Sequence, residues 1–190
     1  MTKFILHGGF TRKDNGLNHA FHEEFVRDIP DSGTVLHIYF ASRSDDISEV
    51  FEEHKKNIRE HSRGKNLKFL LATKEDFLDQ IAKSDALQLH GGSTNKLLTV
   101  LRTYPDLKPL VENKTVAGSS AGAYALACFG ASHSEETVRE GLGLVPLRVV
   151  CHYESPDLPP NAASVSALKN TAQNLELVLL RDFEWKVFNC

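Results

Sequence analysis

A serine set between glycines, where a strand turns into a helix, constrains this chain more than any other feature. The stretch Lys114–Gly130 reads KTVAGSSAGAYALACFG. Thr115 to Ala117 reads as the end of a buried strand, Gly118 to Ala123 as a sharp small-residue turn, and Tyr124 to Cys128 as a helix. A turn of this kind, a nucleophile elbow, strains its central residue and lifts the hydroxyl clear of the sheet. Gly118 and Gly122 keep side chains out of the crowded approach between backbones. The same residues also suit close helix–sheet packing or phosphate binding, but the chain lacks the Gly-Lys-Ser/Thr of a nucleotide loop. Ser120 is the expected nucleophile, and the Ala121 amide would face an oxyanion formed beside it.

The flanking pattern alternates short apolar runs with amphipathic ones. Phe4–His7, Val35–Ala41, Leu67–Ala72 and Ala86–Leu89 read as strands, as does a run through Arg148–Cys151. Between them, Leu17/Phe21/Phe25/Ile29, Ile47/Val50/Phe51/His54/Ile58, Phe77/Leu78/Ile81 and Leu97/Leu98/Leu101 recur at helical spacing. Ala163–Ala172 is a further helix, and Leu175–Leu180 with Trp185–Phe188 reads as a C-terminal hairpin around Asp182-Phe183. This order predicts a three-layer α/β/α sandwich with a mainly parallel sheet, one domain over residues 1–190.

Composition narrows the partners. A net charge of −3 leaves no basic footprint for nucleic acid or an acidic membrane surface. No apolar run reaches bilayer length, and no secretory leader precedes the first strand. The three cysteines, 128, 151 and 190, are odd in number and lack metal-site spacing, which points to a reducing, cytoplasmic setting. No metal or organic cofactor is implied.

The chemistry is expected along one edge, since ligands of open α/β sheets bind beyond the carboxyl ends of the strands. The segment Leu-His-Gly-Gly occurs at 6–9 and again at 89–92, as if two parallel strands end at one rim and both need glycine there. Gly8-Gly9, Gly91-Gly92, Ser120 and His152 all fall at predicted strand ends. A serine needs a base to take its proton. His152, closing the strand after the elbow helix, is the first candidate if that strand lies parallel beside the elbow strand; His90 and His133 are the others. His19, His22, His54 and His61 lie on predicted surface helices, and His37 lies within a strand. The carboxylate that would orient the imidazole is open among Glu135, Glu136, Glu154 and Asp157. The oxyanion would be met by Ala121 and by an amide of the Gly91-Gly92 turn.

Four segments together carry a resemblance: LHGGSTNKLL at 89–98, AGSSAGA at 117–123, GLGL at 141–144 and CHY at 151–153. They resemble the peptidase E (aspartyl dipeptidase) and cyanophycinase family of serine peptidases, whose fold is similar to class I glutamine amidotransferases. The resemblance implies a Ser-His-acid hydrolase of small peptides. Ser120 would be the nucleophile, His152 the base and Glu135 the acid, with Gly92 and Ala121 as oxyanion donors. Gly9, His90, Gly91, Thr94 and Tyr153 would meet substrate. His90 stands where members commonly carry a third glycine. Residues 153–168, YESPDLPPNAASVSAL, hold no Lys or Arg for the acidic side chain that dipeptidase members bind, unless Arg12, Lys13 or Arg43 reaches over from another rim loop. Glutamine amidotransfer is disfavoured, because that chemistry uses a cysteine at the elbow; Cys128 is expected two helical turns beyond it, facing the core. Two further functions stay open: a serine hydrolase of esters or side-chain amides, and a catalytically silent small-molecule or peptide-binding domain.

Overall fold

The computed structural model describes residues 1–44 and 46–190. Among these residues ten strands and six α-helices alternate much as the apolar pattern requires. They are β1 (Lys3–His7), α1 (Gly16–Val26), β2 (Thr34–Ile38), α2 (Ser48–Glu60), β3 (Lys68–Leu71), α3 (Phe77–Ala82), β4 (Ala86–Leu89) and α4 (Thr94–Leu101). Then follow β5 (Thr115–Ser119), α5 (Ala121–Leu126), β6 (Ala127–Gly130), β7 (Arg139–Glu140), β8 (Val145–Val150), α6 (Ala162–Asn170), β9 (Glu176–Leu179) and β10 (Trp185–Asn189).

The main sheet has the order β10-β1-β5-β4-β2-β3. Its strands are parallel except β10, which runs antiparallel to β1. The elbow strand β5 is therefore central. Leu6 and Leu89, the leucines of the two Leu-His-Gly-Gly segments, both register on Gly118, one from each side. The repeated tetrapeptide thus frames the elbow on both flanks.

Side chains of a strand alternate between faces, and the two faces here fill separately. Phe4, Leu6, Leu36, Ile38, Leu87 and Leu89 pack with Phe77, Ile81, Leu97 and Tyr124 on the side of α3, α4 and α5. Ile5, Val35, Ala86 and Ala117 meet Phe21, Phe25 and Ile58 on the side of α1 and α2. Each such large apolar side chain contributes about 1.5–3 kcal/mol on burial. The elbow strand affords only Val116 and Ala117 to these cores. It is held in place chiefly by neighbours on both edges.

Beside the mainly parallel sheet that the sequence predicts lies a second one, β7-β6-β8-β9. The elbow helix ends at Leu126, and Ala127 (φ −71°, ψ 167°) leads straight into a strand, so Cys128 lies half-buried on β6 and not on a helix facing the core. Val145, Leu147, Val149 and Val178 of this sheet extend the α5-side core. Leu168 of α6 seals its other side against Val150 and Ala131.

The C-terminal hairpin does not form. β9 pairs in parallel with β8, whereas β10 pairs antiparallel with β1. Two apolar runs around a short turn look the same in sequence whether they pair with each other or with different partners. Here the Arg181–Glu184 turn carries the chain from one sheet to the other, fastened by Leu180 N–H to Val150 O (2.9 Å) and Gly8 N–H to Glu184 O (2.8 Å).

Candidate active site

Ser120 sits between β5 and α5 at φ 51°, ψ −106°, a conformation that costs a non-glycine residue about 1–3 kcal/mol. Its N–H donates to His7 O (3.0 Å), tying the elbow to β1. The turn is tight enough to exclude side chains: a Cβ on Gly118 would lie 2.6 Å from Gly122 C, and one on Gly122 would lie 2.3 Å from Leu89 O.

His152 comes to Ser120 by a different route from the one expected. It follows β8 of the second sheet, and β5 is flanked by β1 and β4. The bridge is the Gly8-Gly9 turn. His152 N–H donates to Gly8 O (3.1 Å) and Phe183 N–H donates to Gly9 O (3.3 Å), which binds both sheets to one turn. His152 is itself left-handed, at φ 53°. A Cβ on Gly9 (φ 136°) would sit 2.0 Å from His152 Cε1, so Gly9 makes room for the imidazole; it does not line the cleft described below. The Phe10 ring packs edge-on at 4.9 Å from its other side.

His152 Nε2 is 3.2 Å from Ser120 Oγ, and Nδ1 is 2.6 Å from Asp182 Oδ1. An ionised carboxylate only accepts, so Nδ1 carries the hydrogen and Nε2 is left to accept from the serine. The side chains of His152 and Asp182 are 3% and 14% exposed, which shields the pair from water. Asp182 was absent from the sequence-level candidates. The signal for it was a carboxylate just past the end of an apolar strand, and reading that strand as a hairpin arm moved it off the rim.

The four carboxylates weighed from sequence are elsewhere. Glu135 pairs with Arg139 (3.1 Å) at the surface, and Glu136 is exposed. Glu154 pairs with Arg181 (2.6 Å) and Asp157 approaches Lys13 (3.5 Å). Proximity along the chain does not bring these carboxylates to the imidazole: three are engaged by Arg139, Arg181 or Lys13 and Glu136 faces solvent.

The other histidines take positions around the relay. His133 stacks edge-on to His152 at 5.5 Å, its Nδ1 toward Pro159 O (3.3 Å). His90 is buried against Tyr39 (centroids 4.1 Å) and shares a 2.9 Å hydrogen bond with His37. His7 accepts from Gly9 N–H at Nδ1 (3.0 Å) and donates from Nε2 to Asn18 Oδ1 (2.9 Å). Asn18 donates in turn to Phe10 O and Lys13 O, which fixes its orientation. His22, on a predicted surface helix, and His54, within the apolar set of α2, are both buried.

That burial has a consequence for stability. Burial, the largest cause in each case, lowers the pKa of His7 and His54 to about 4 and that of His22 to about 3. His37 and His90 are pushed down for the same reason. In the unfolded chain these groups titrate near their ordinary value of about 6.5. The unfolded state therefore takes up protons that the folded state refuses as the pH drops below about 6.5. Stability should be full above that pH and decline steeply toward pH 4, by up to about 1.4 kcal/mol per pH unit for each histidine. Urea midpoints measured between pH 8 and pH 4 would show it; a flat profile across that range would contradict the buried neutral cluster.

Gly91 and Gly92 close the far side of the elbow. A Cβ on Gly91 would lie 3.5 Å from Ser120 Cβ, and one on Gly92 (φ 139°) would lie 2.2 Å from Ala41 O. Among the described residues, the amides of Gly92 and Ala121 have no protein acceptor. A cleft of about 560 Å³ opens over Ser120 and His152, reaching Gly91, Gly92, His90, Phe10 and Tyr39. Thr94 lies outside it, in a polar recess of about 120 Å³ on the other side of Gly92, with Asn95, His133 and Arg139. Tyr153 lines neither; its N–H donates to Leu180 O (2.9 Å) and its ring packs against the α6-side core.

A family model described as peptidase family S51 matches residues 4–188. No curated protein matches the sequence. Among solved structures, the chain is similar to a peptidase from an acI-B1 actinobacterium. The TM-score is 0.70 at 19% identity, over 100% of this chain and 84% of that one. It is similar also to a putative peptidase E protein from Listeria monocytogenes EGD-e (TM-score 0.63, 17% identity, covering 99% and 97%). At such identities the likeness speaks to the fold.

Proposed function

The chain belongs to peptidase family S51, and from that premise we propose that it is a serine peptidase cleaving small peptides through an acyl-enzyme on Ser120. The observation that carries this reading is the continuous relay from Ser120 Oγ through His152 (3.2 Å) to Asp182 (2.6 Å). In the proposed reaction His152 Nε2 takes the hydroxyl proton as Oγ attacks the scissile carbonyl. Asp182 keeps the other ring nitrogen protonated and stabilises the imidazolium that forms. The amides of Gly92 and Ala121, free of protein acceptors, receive the developing oxyanion. The imidazolium then protonates the leaving amine, and a water activated by the same nitrogen releases the acid.

The neighbours support this division of labour. Burial lowers the pKa of His7 to about 4 and also lowers that of His133, so neither adds a competing cation beside the relay at neutral pH. Cys151 lies beneath the elbow with its thiol pKa raised by burial, which removes it as an alternative nucleophile.

The direct test is covalent. A fluorophosphonate probe should label the full-length chain once, at Ser120, with labelling slowed when His152 is replaced by alanine. Absence of label at Ser120 in a folded sample would reject the acyl-enzyme and favour a binding role for the cleft.

A further inference from the structure

The cleft beside Ser120 carries three cationic side chains at its mouth, yet two of them are held by the chain's own carboxylates. Arg12 Nη1 is 2.8 Å from Glu53 Oε2. Lys13 Nζ is 3.5 Å from Asp157 Oδ2 and lies 4.1 Å from the centre of the Phe10 ring. The third, Arg43, stands at the lip shared with the recess beyond Gly92. The rest of the lining is mostly apolar, with Phe10, Tyr39, Ile47, Val50 and Leu158, and its one carboxylate among the described residues, Asp46, would repel an acid. Leu158 is one of only three large apolar side chains exposed among the described residues, and it is exposed into this cleft.

The floor is uncharged. His90 lies against Tyr39 at 4.1 Å and against His54 at 4.0 Å, an aromatic stack under the cleft. Both imidazoles are held neutral by burial. Tyr39 OH lies 2.8 Å from His54 Nδ1, which also donates to Val50 O (2.9 Å).

We propose that this cleft selects an uncharged, apolar side chain on a residue flanking the scissile bond, and discriminates against acidic ones. The inference rests on the peptidase reading of the same site and adds its specificity. An acidic side chain entering here leaves water for an apolar wall, and two of the three cations lining the cleft already face carboxylates of the chain. A leucine or phenylalanine side chain gains contact with that wall at no such cost. Arg12 and Glu53 act together: the pair fills a position from which a bare guanidinium would attract acids.

Two dipeptide series, X-Ala and Ala-X with X = Leu, Phe, Asp and Lys, test this with the full-length protein. In at least one series kcat/KM for Leu or Phe should exceed that for Asp by about tenfold or more. Glu53→Gln, which frees Arg12, should narrow the ratio at least about threefold by raising turnover of the Asp peptide. Equal rates, or a preference for Asp that Arg43→Ala removes, would overturn the proposal while leaving Ser120 labelling intact. If Ser120 does not label at all, the peptidase reading fails separately. Calorimetric binding of the same Leu and Asp dipeptides to Ser120→Ala then decides the cleft's selectivity without turnover: tighter Leu binding supports the proposal, and equal or tighter Asp binding sinks it.

Discussion

Ser120→Ala is expected to lower kcat on any peptide substrate by about four to six orders of magnitude while leaving the protein folded. The size follows from removing the attacking atom of a relay that acts as a unit, after which only positioning and oxyanion contacts remain. Folding should survive because alanine keeps the Cβ and inherits the same left-handed strain at φ 51°. The lost hydroxyl has one side-chain partner, His152. Ser120→Gly would shed the strain as well as the hydroxyl, so it should be equally inactive and no less stable. Steady-state kinetics together with thermal melting separate the two effects. A folded Ser120→Ala protein that retains even a tenth of wild-type turnover would mean that Ser120 is not the nucleophile.

Asp182→Asn is expected to cost about four orders of magnitude in kcat, against less than about threefold for Glu135→Gln. With an amide in place of the carboxylate, nothing requires the hydrogen to stay on His152 Nδ1. The other tautomer puts it on Nε2, where it blocks acceptance from Ser120. Glu135, paired with Arg139 and 48% exposed, has no contact through which to act on the imidazole. Measuring the two variants side by side assigns the acid. Should Glu135→Gln be the more damaging, the relay drawn through Asp182 would be wrong.

Much of this site was legible in the order of residues. The Gly-x-Ser-x-Gly turn announces itself because only small residues tolerate the contacts it forces, such as Gly118 against Gly122 and Gly122 against Leu89. The two Leu-His-Gly-Gly segments marked strand ends for the same local reason, and β1 and β4 do flank the elbow strand. The alternation of apolar runs is likewise a local signal, set by which face of each element meets a neighbour.

What the order of residues left undecided was how distant segments pair. A strand's apolar pattern says that it is buried but not beside what, so β9 and β10 looked like one hairpin and β8 looked like a neighbour of β5. The same blindness hid Asp182. It also left His22 outside the apolar set of α1, since helical periodicity marks one face as buried but cannot show that packing of α1 against α2 covers more of the surface than that.

Sequence alone therefore determined the glycine-flanked Ser120 turn, the alternating architecture and the rim on which the cleft opens, because each depends on contacts within a few residues. Only the tertiary structure decided which carboxylate reaches His152, that Gly9 lies against the imidazole, and that Arg12 and Lys13 arrive at the cleft already paired. Those facts depend on contacts between residues 30 to 144 positions apart, such as His152 with Asp182 and Lys13 with Asp157. The free energy of such contacts is set by the packing of two sheets around one glycine turn, and no short stretch of chain encodes it.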